Sequence, residues 1–144
     1  MKLTIDDLDL KEVINASGKM TVLGVSKVSS GVLEAQRYGG EHFFDMADLA
    51  VKTGAYLAKS LKVEDAQIVS SASAGIAQSV AAVIGQGDMY HLYHPYSSKI
   101  TKRDIILPKG HNVDYGTPVE VMVEQGGGTV VEAGYANMCT AAHI

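Results

Sequence analysis

The sequence predicts an α/β fold with alternating strands and helices and a mainly parallel sheet. Three observations support this. A β-branched run at Ala66–Ser70 leads through a small-residue loop into a stretch with helical spacing. The runs DIIL (Asp104–Leu107) and TVVEA (Thr129–Ala133) read as short buried strands. Between those two lies a segment able to form the helix that a parallel pair of strands requires.

The first helical signal is Ser30 through Tyr38, two turns expected to stop at Gly39-Gly40, where a residue free to take positive φ would turn the chain. The clearest helix opens at Asp45-Met46-Ala47-Asp48, with a carboxylate at the cap and another in the first turn. Met46, Leu49, Ala50, Thr53, Leu57 and Leu61 then share one face. A strand over Ala66–Ser70 follows, then a helix opening at Ser73 whose Ile76, Val80, Val83 and Ile84 recur at helical spacing.

No charge falls between Ala66 and Gln86, a length that would cross a bilayer. However, Gln67, Ser70, Ser71, Ser73, Gln78 and Ser79 interrupt the stretch and Gly75 and Gly85 weaken it, so strand, loop and helix is the preferred parse over a span.

In TPVEVMVEQGGG two rules conflict. Val119, Val121 and Val123 alternate as in a strand, whereas Thr117-Pro118-Val119-Glu120 is a capping box with proline at the first helical position. Helix is chosen, with Gly126–Gly128 as its stop. No repeat or linker divides residues 1–144, which read as a single α/β domain with residues 1–40 as an N-terminal segment within it. The ending MCTAAHI carries no stop signal, and the domain is expected to be incomplete. An unfinished sheet should leave an edge and apolar surface that invite self-association.

With 144 residues, 47% hydrophobic, the chain can bury a core, and its net charge of −4 with scattered lysines disfavours a nucleic-acid partner. Cys139 is the only cysteine, so no internal disulfide can form, and the opening residues lack the apolar core of a signal peptide. A cytoplasmic location is expected.

A strand ending at Ser70-Ser71 before a helix would present unpaired N–H groups, the positive end of a helix dipole and hydroxyls able to donate. Ala72, Ala74 and Gly75 would let an anion approach the backbone. The loop has neither a P-loop lysine nor GxGxxG, which disfavours a nucleoside triphosphate, and a plain serine cap on a core helix accounts for the same residues. In Tyr90-His91-Leu92-Tyr93-His94-Pro95-Tyr96 the HxxH pair lacks a third ligand, so no metal is expected and a pocket rim or subunit contact is preferred. Cys139, without a second cysteine or adjacent base, reads as an inert buried thiol.

The order of INASG (Ile14–Gly18), YGGEHFFDMADL (Tyr38–Leu49), SSASAG (Ser70–Gly75) and ILPKGH (Ile106–His111) resembles the N-terminal part of the family that includes selenocysteine synthase and D-glucosaminate-6-phosphate ammonia lyase. The ammonia-lyase branch is the closer, because the selenium-transferase branch usually has an asparagine-rich sequence where this chain has SSASAG.

The resemblance implies part of the large domain of a fold-type-I enzyme, the aspartate aminotransferase fold, with pyridoxal 5′-phosphate as cofactor. It implies that Ser71, Ala72 and Ser73 hold the cofactor phosphate and that His111 stacks on its ring, although a surface histidine in a glycine-containing turn remains the plainer reading. Asn15, Ser17 and Gly18 would lie toward the substrate, though the same residues suit an ordinary turn. His42 would face a neighbouring subunit's pocket in a homo-oligomer, unless it packs in a core with Phe43 and Phe44.

The lysine that forms the Schiff base and the carboxylate for the pyridine nitrogen are implied to lie beyond Ile144. Lys109, nearest the implied pocket, has no desolvated setting and is not nominated. The implied activity is α,β-elimination from a phosphorylated amino acid or aminosugar acid, by a lyase to which this chain contributes only a part, inactive alone and dependent on a complementary C-terminal portion. Two alternatives stay open: selenium transfer onto a seryl-tRNA, and a non-catalytic module that binds a phosphorylated ligand or another subunit.

Overall fold

A computed structural model describes residues 4–144. The chain divides between Leu49 and Ala50 into two compact units. Up to Leu49 the regular elements are single helical turns at Asp6–Leu8 and Thr21–Leu23, helix α1 (Ser30–Glu41) and the start of helix α2 (Met46–Leu61). From Ala50 onward come the rest of α2, then α3 (Ala72–Gly85), α4 (Met89–Tyr93), β1 (Asp104–Pro108), α5 (Val119–Gln125) and β2 (Thr129–Ala133). The expected alternation of helix and strand is observed from α3 onward.

Ser29 caps α1 by accepting from the Val32 N–H at 3.4 Å. Contrary to expectation, α1 runs through Gly39 and Gly40 and ends after Glu41, with His42 extended at its C-cap. Neither glycine takes a positive φ, and the last turn is held by an i,i+4 ion pair from Arg37 to Glu41 at 2.7 Å. In α2 the Asp45 carboxylate accepts from the Asp48 N–H at 2.9 Å, as the cap reading required.

The buried positions of α2 are Gly54 and Ala58, one step round from the predicted Thr53 and Leu57. Small residues win here because the Ala66 carbonyl lies directly against Gly54, leaving no room for a side chain.

Residues 66–70 form no strand. They belong to no ladder, and instead Gln67 bonds Gln78 of α3 at 3.3 Å while Val69 lies beside Gly75. A strand needs a neighbouring backbone to pair with, and among the described residues this segment has only helix flanks to lie on. The sheet of the described residues is the parallel pair β1–β2, in register Asp104↔Thr129 through Pro108↔Ala133, with α5 as the crossover between them.

The core of this unit gathers around Val80 of α3, Val123 of α5 and Ala133 of β2. Gly126 and Gly128 make that packing possible. A Cβ on Gly128 would come within 3.0 Å of Val123, Ile105 and Val80 together. Gly127 takes the left-handed φ of 86° that ends α5, as the triple glycine predicted.

The predicted capping box on α5 does not form. Pro118 is the cap residue rather than the first helical one, and the Thr117 hydroxyl turns to the Gly116 carbonyl. Asn112, eight residues upstream of Glu120, caps the helix in its place: its Oδ1 accepts from the Glu120 N–H at 3.1 Å.

Arg103 secures the segment between α4 and β1. It donates to the carbonyls of Ile100, Pro95 and Gly127 at 2.6–2.7 Å, and to that of Ser97. The guanidinium's five N–H donors serve these four carbonyls at once, one more than the three N–H groups of a lysine could. No helix among the described residues is long and apolar enough to cross a membrane.

Candidate phosphate site and its surroundings

Ser71 is the N-cap of α3, with extended backbone and a side chain that accepts from the Ala74 N–H at 3.1 Å. The Gly75 N–H closes the first turn on the Ser71 carbonyl at 3.0 Å. That leaves the N–H groups of Ala72 and Ser73, which have no carbonyl one turn back within the helix to bond. Ser71 and Ala72 are exposed and Ser73 is half-buried, so these donors open onto free space.

The Ser71 hydroxyl spends a lone pair on the cap and keeps its O–H to donate. The helix beyond runs 14 residues without an acidic residue in its first turn. Its dipole and donors therefore favour an anion. A helix opening of this kind fits a phosphate ester, and the serine-cap reading is satisfied by the same geometry.

His111 ends the single helical turn Lys109–His111 that follows β1. Its ring is exposed and lines a cleft of about 440 Å³ together with Pro108, Tyr135, Met138 and Cys139. This cleft lies past the carboxyl ends of β1 and β2, where open parallel sheets receive ligands. Ser71, Ala72 and Ser73 are not among its walls. Gly110 presses against the Ala136 carbonyl, a contact that admits no side chain.

Lys109 reaches the Glu132 carboxylate at 3.8 Å, and Asn112 donates to Glu120 at 2.9 Å and to Glu132 at 3.4 Å. Sequence reading passed over Asn112 and Glu132. Nothing local marks either residue, because their partners are 8 to 23 positions away along the chain.

Asn15 folds back on its own turn. Its Oδ1 accepts from the Ser17 N–H at 2.9 Å and its Nδ2 donates to the Gly18 carbonyl at 2.6 Å, with Gly18 at φ 81°. Both ends of the amide are thus engaged in the turn. His42 is exposed and stacks on Tyr38 with ring centroids 4.1 Å apart. Its Nδ1 lies 2.8 Å from the Tyr38 carbonyl. A carbonyl can only accept, so Nδ1 carries the proton and Nε2 is left to accept in the neutral ring. Phe43 is fully exposed and Phe44 about half so, which corrects the alternative of a phenylalanine core.

The Tyr- and His-rich stretch opens with a short helix. Met89–Tyr93 forms α4, opened by Asp88, whose carboxylate accepts from the Tyr90 N–H at 2.9 Å. His91 is 5% exposed and lies over Gly85, packing α4 onto α3, and with Leu92 and Pro95 it lines a cleft of about 550 Å³, in keeping with the pocket-rim reading. Neither ring nitrogen has a partner among the described residues. No group of three or more His, Cys, Asp or Glu side chains gathers there or elsewhere among the described residues. Cys139 is half-buried beside Gly134.

Comparison with known proteins fixes the frame. The chain is 43% identical over 133 residues to D-glucosaminate-6-phosphate ammonia lyase of Salmonella typhimurium (strain 14028s / SGSC 2262), a match covering 92% of this chain and 36% of that enzyme. A solved structure of D-glucosaminate-6-phosphate ammonia-lyase superposes with a TM-score of 0.88, covering 97% of this chain and 38% of that one. The resemblance to the ammonia-lyase family is borne out.

A second relative, 5′-C-glycyluridine monooxygenase-decarboxylase of a Streptomyces species, is 33% identical over 138 residues, 95% of this chain and 35% of that protein. Both relatives are enzymes, and the chain spans about a third of the length of each. No family model matches the sequence. The α/β architecture of the ammonia-lyase structure is thus the architecture of this chain over nearly all its length.

Proposed function

We propose that this chain supplies the phosphate-binding part of a pyridoxal-phosphate-dependent ammonia lyase acting on a phosphorylated aminosugar acid. The observation that carries the reading is the exposed, serine-capped opening of α3, in a chain 43% identical to an enzyme named for that substrate. When bound, pyridoxal phosphate supplies a ring that draws electrons from the substrate's α-carbon.

The chain's own residues bind and orient. The N–H groups of Ala72 and Ser73 and the hydroxyls of Ser71 and Ser73 donate to the phosphate, at the positive end of the α3 dipole. His111 offers a flat ring at the carboxyl end of β1, suited to stacking on a pyridine face. By the family resemblance, Asn15, Ser17, Gly18 and His42 serve the substrate side, with His42 Nε2 available to accept a hydrogen bond in a homo-oligomer. The covalent lysine and the proton transfer at the α-carbon are assigned to a part of the enzyme outside residues 1–144, so this chain alone turns nothing over.

The test is a titration of pyridoxal phosphate into the purified protein, followed by its near-visible absorbance and by competition with inorganic phosphate. Ala72→Asp keeps a good first-turn helix residue while placing a negative charge in the cradle. Binding that phosphate displaces, and that Ala72→Asp abolishes, is the expected result. Binding indifferent to both overturns the cradle. Binding of inorganic phosphate without pyridoxal phosphate overturns the cofactor and favours a module for another phosphorylated ligand.

A further inference from the structure

We propose that Glu132 is a positioning residue for His111, holding the turn Lys109–His111 from both sides so that the imidazole is set in direction before any ligand arrives. Glu132 sits on β2 beside Leu107 of β1, one register step before the end of the ladder. From there its carboxylate meets Lys109, two residues before His111, at 3.8 Å and Asn112, one residue after it, at 3.4 Å. A single acidic side chain therefore brackets the histidine.

Two further constraints act on the same turn. Gly110 is pressed on the Ala136 carbonyl, and the Asn112 N–H returns to the Lys109 carbonyl at 3.3 Å. Asn112 is itself fixed at the opening of α5 through Glu120, so the turn is tied to both β2 and α5. The Lys109 and Glu132 side chains are 56% and 41% exposed, and such contacts contribute little to overall stability. Their effect is geometric: with the main chain on either side of His111 anchored, fewer directions remain open to its ring. The role given to His111 rests on the cofactor reading above; the bracketing of its turn does not.

The decisive measurement is the His111 ring resonance in protein carrying labelled histidine, recorded without and with pyridoxal phosphate, assigned through His111→Gln. In Glu132→Ala the resonance is expected to move toward the value of an unstructured histidine. Affinity for pyridoxal phosphate should fall by about tenfold, the low end of what loss of a supporting contact costs, while affinity for inorganic phosphate at α3 stays unchanged.

Glu132→Gln, still able to accept from Asn112 but without the charge that holds Lys109, should fall between Glu132→Ala and the unsubstituted protein, close to Lys109→Met. Lys109→Met, which cuts the other arm, should move the resonance in the same direction as Glu132→Ala. A His111 resonance identical in Glu132→Ala, Lys109→Met and the unsubstituted protein overturns the proposal. Failure of the cofactor reading looks different: the unsubstituted protein then shows no phosphate-competed binding of pyridoxal phosphate, whereas the resonance still moves in Glu132→Ala.

Discussion

Asn112 and Glu120 bind one another twice, the Asn112 carbonyl oxygen accepting from the Glu120 N–H at 3.1 Å while its amide donates to the Glu120 carboxylate at 2.9 Å. This reciprocal pair does for α5 what a capping box does for other helices, from a residue eight positions upstream. Asn112→Ala should cost about 1–2 kcal/mol, as loss of a cap does. Asn112→Asp should cost more than the alanine, since it keeps the acceptor but sets a carboxylate against Glu120. Urea denaturation of the three proteins ranks them, and an aspartate variant as stable as the parent would refute the pairing.

Ser71 separates capping from anion binding. Ser71→Ala loses the bond to the Ala74 N–H and should cost about 1 kcal/mol. Ser71→Asp keeps a good cap, so its stability should stay near that of the parent, yet its charge should repel phosphate. Phosphate affinity lowered in the aspartate variant, with the melting temperature held, is the expected pattern.

The glycines inside α1 are conformationally ordinary. Neither Gly39 nor Gly40 has positive φ, and a Cβ at either would meet nothing within 4 Å. Replacing each by alanine should therefore strengthen the helix by about 0.5–1 kcal/mol per site. Helical circular dichroism should rise at a given temperature; a fall would mean that the helix ends at the glycines after all.

Gly128 tests the core. A methyl group there would meet side chains of Val123, Ile105 and Val80 at 2.8–3.0 Å. Gly128→Ala should destabilise by about 1–3 kcal/mol through overpacking. Adding Val80→Ala removes one of the three crowded partners, so the double variant should be less destabilised than the sum of the single ones. Strict additivity in a double-mutant cycle would place the cost elsewhere.

Asp7 gives a local pH dependence. The Thr4 N–H at 2.7 Å, and then the Thr4 hydroxyl at 2.8 Å, hold its carboxyl below the usual carboxylate range. A depressed folded value means that the help this pair gives to the Asp6–Leu8 turn is complete above about pH 4, the ordinary carboxylate value. That help is lost as pH falls through the lowered one. The amide resonance of Thr4 should report it; a midpoint at or above the ordinary value would contradict the bond.

Much of this fold was legible because its signals are local. The α2 cap needs only Asp45 and Asp48, the two strands need only short β-branched runs, and the serine opening of α3 needs only Ser71 and its small neighbours. What the sequence hid depends on partners distant along the chain. The run at 66–70 has the composition of a strand, but a strand is defined by a ladder that composition cannot supply. Thr117-Pro118-Val119-Glu120 spells a capping box, yet Asn112 wins the helix start because a turn elsewhere delivers it there. His91 reads as a rim residue, and that its ring is also buried over Gly85 depends on how α4 returns onto α3. At the candidate site the serine-capped opening of α3 was visible in advance, whereas the contacts of Glu132 and Asn112 were not, since they join residues far apart along the chain.

The parallel pair β1–β2 has one further consequence. Among the described residues each strand pairs on its inner side alone, so the ribbon carries two outer rows of amides and carbonyls set at the spacing another extended peptide would match. Lateral zippering between molecules is the natural outlet for such rows, and protein concentration, more than heating, should govern how long a purified sample stays dispersed.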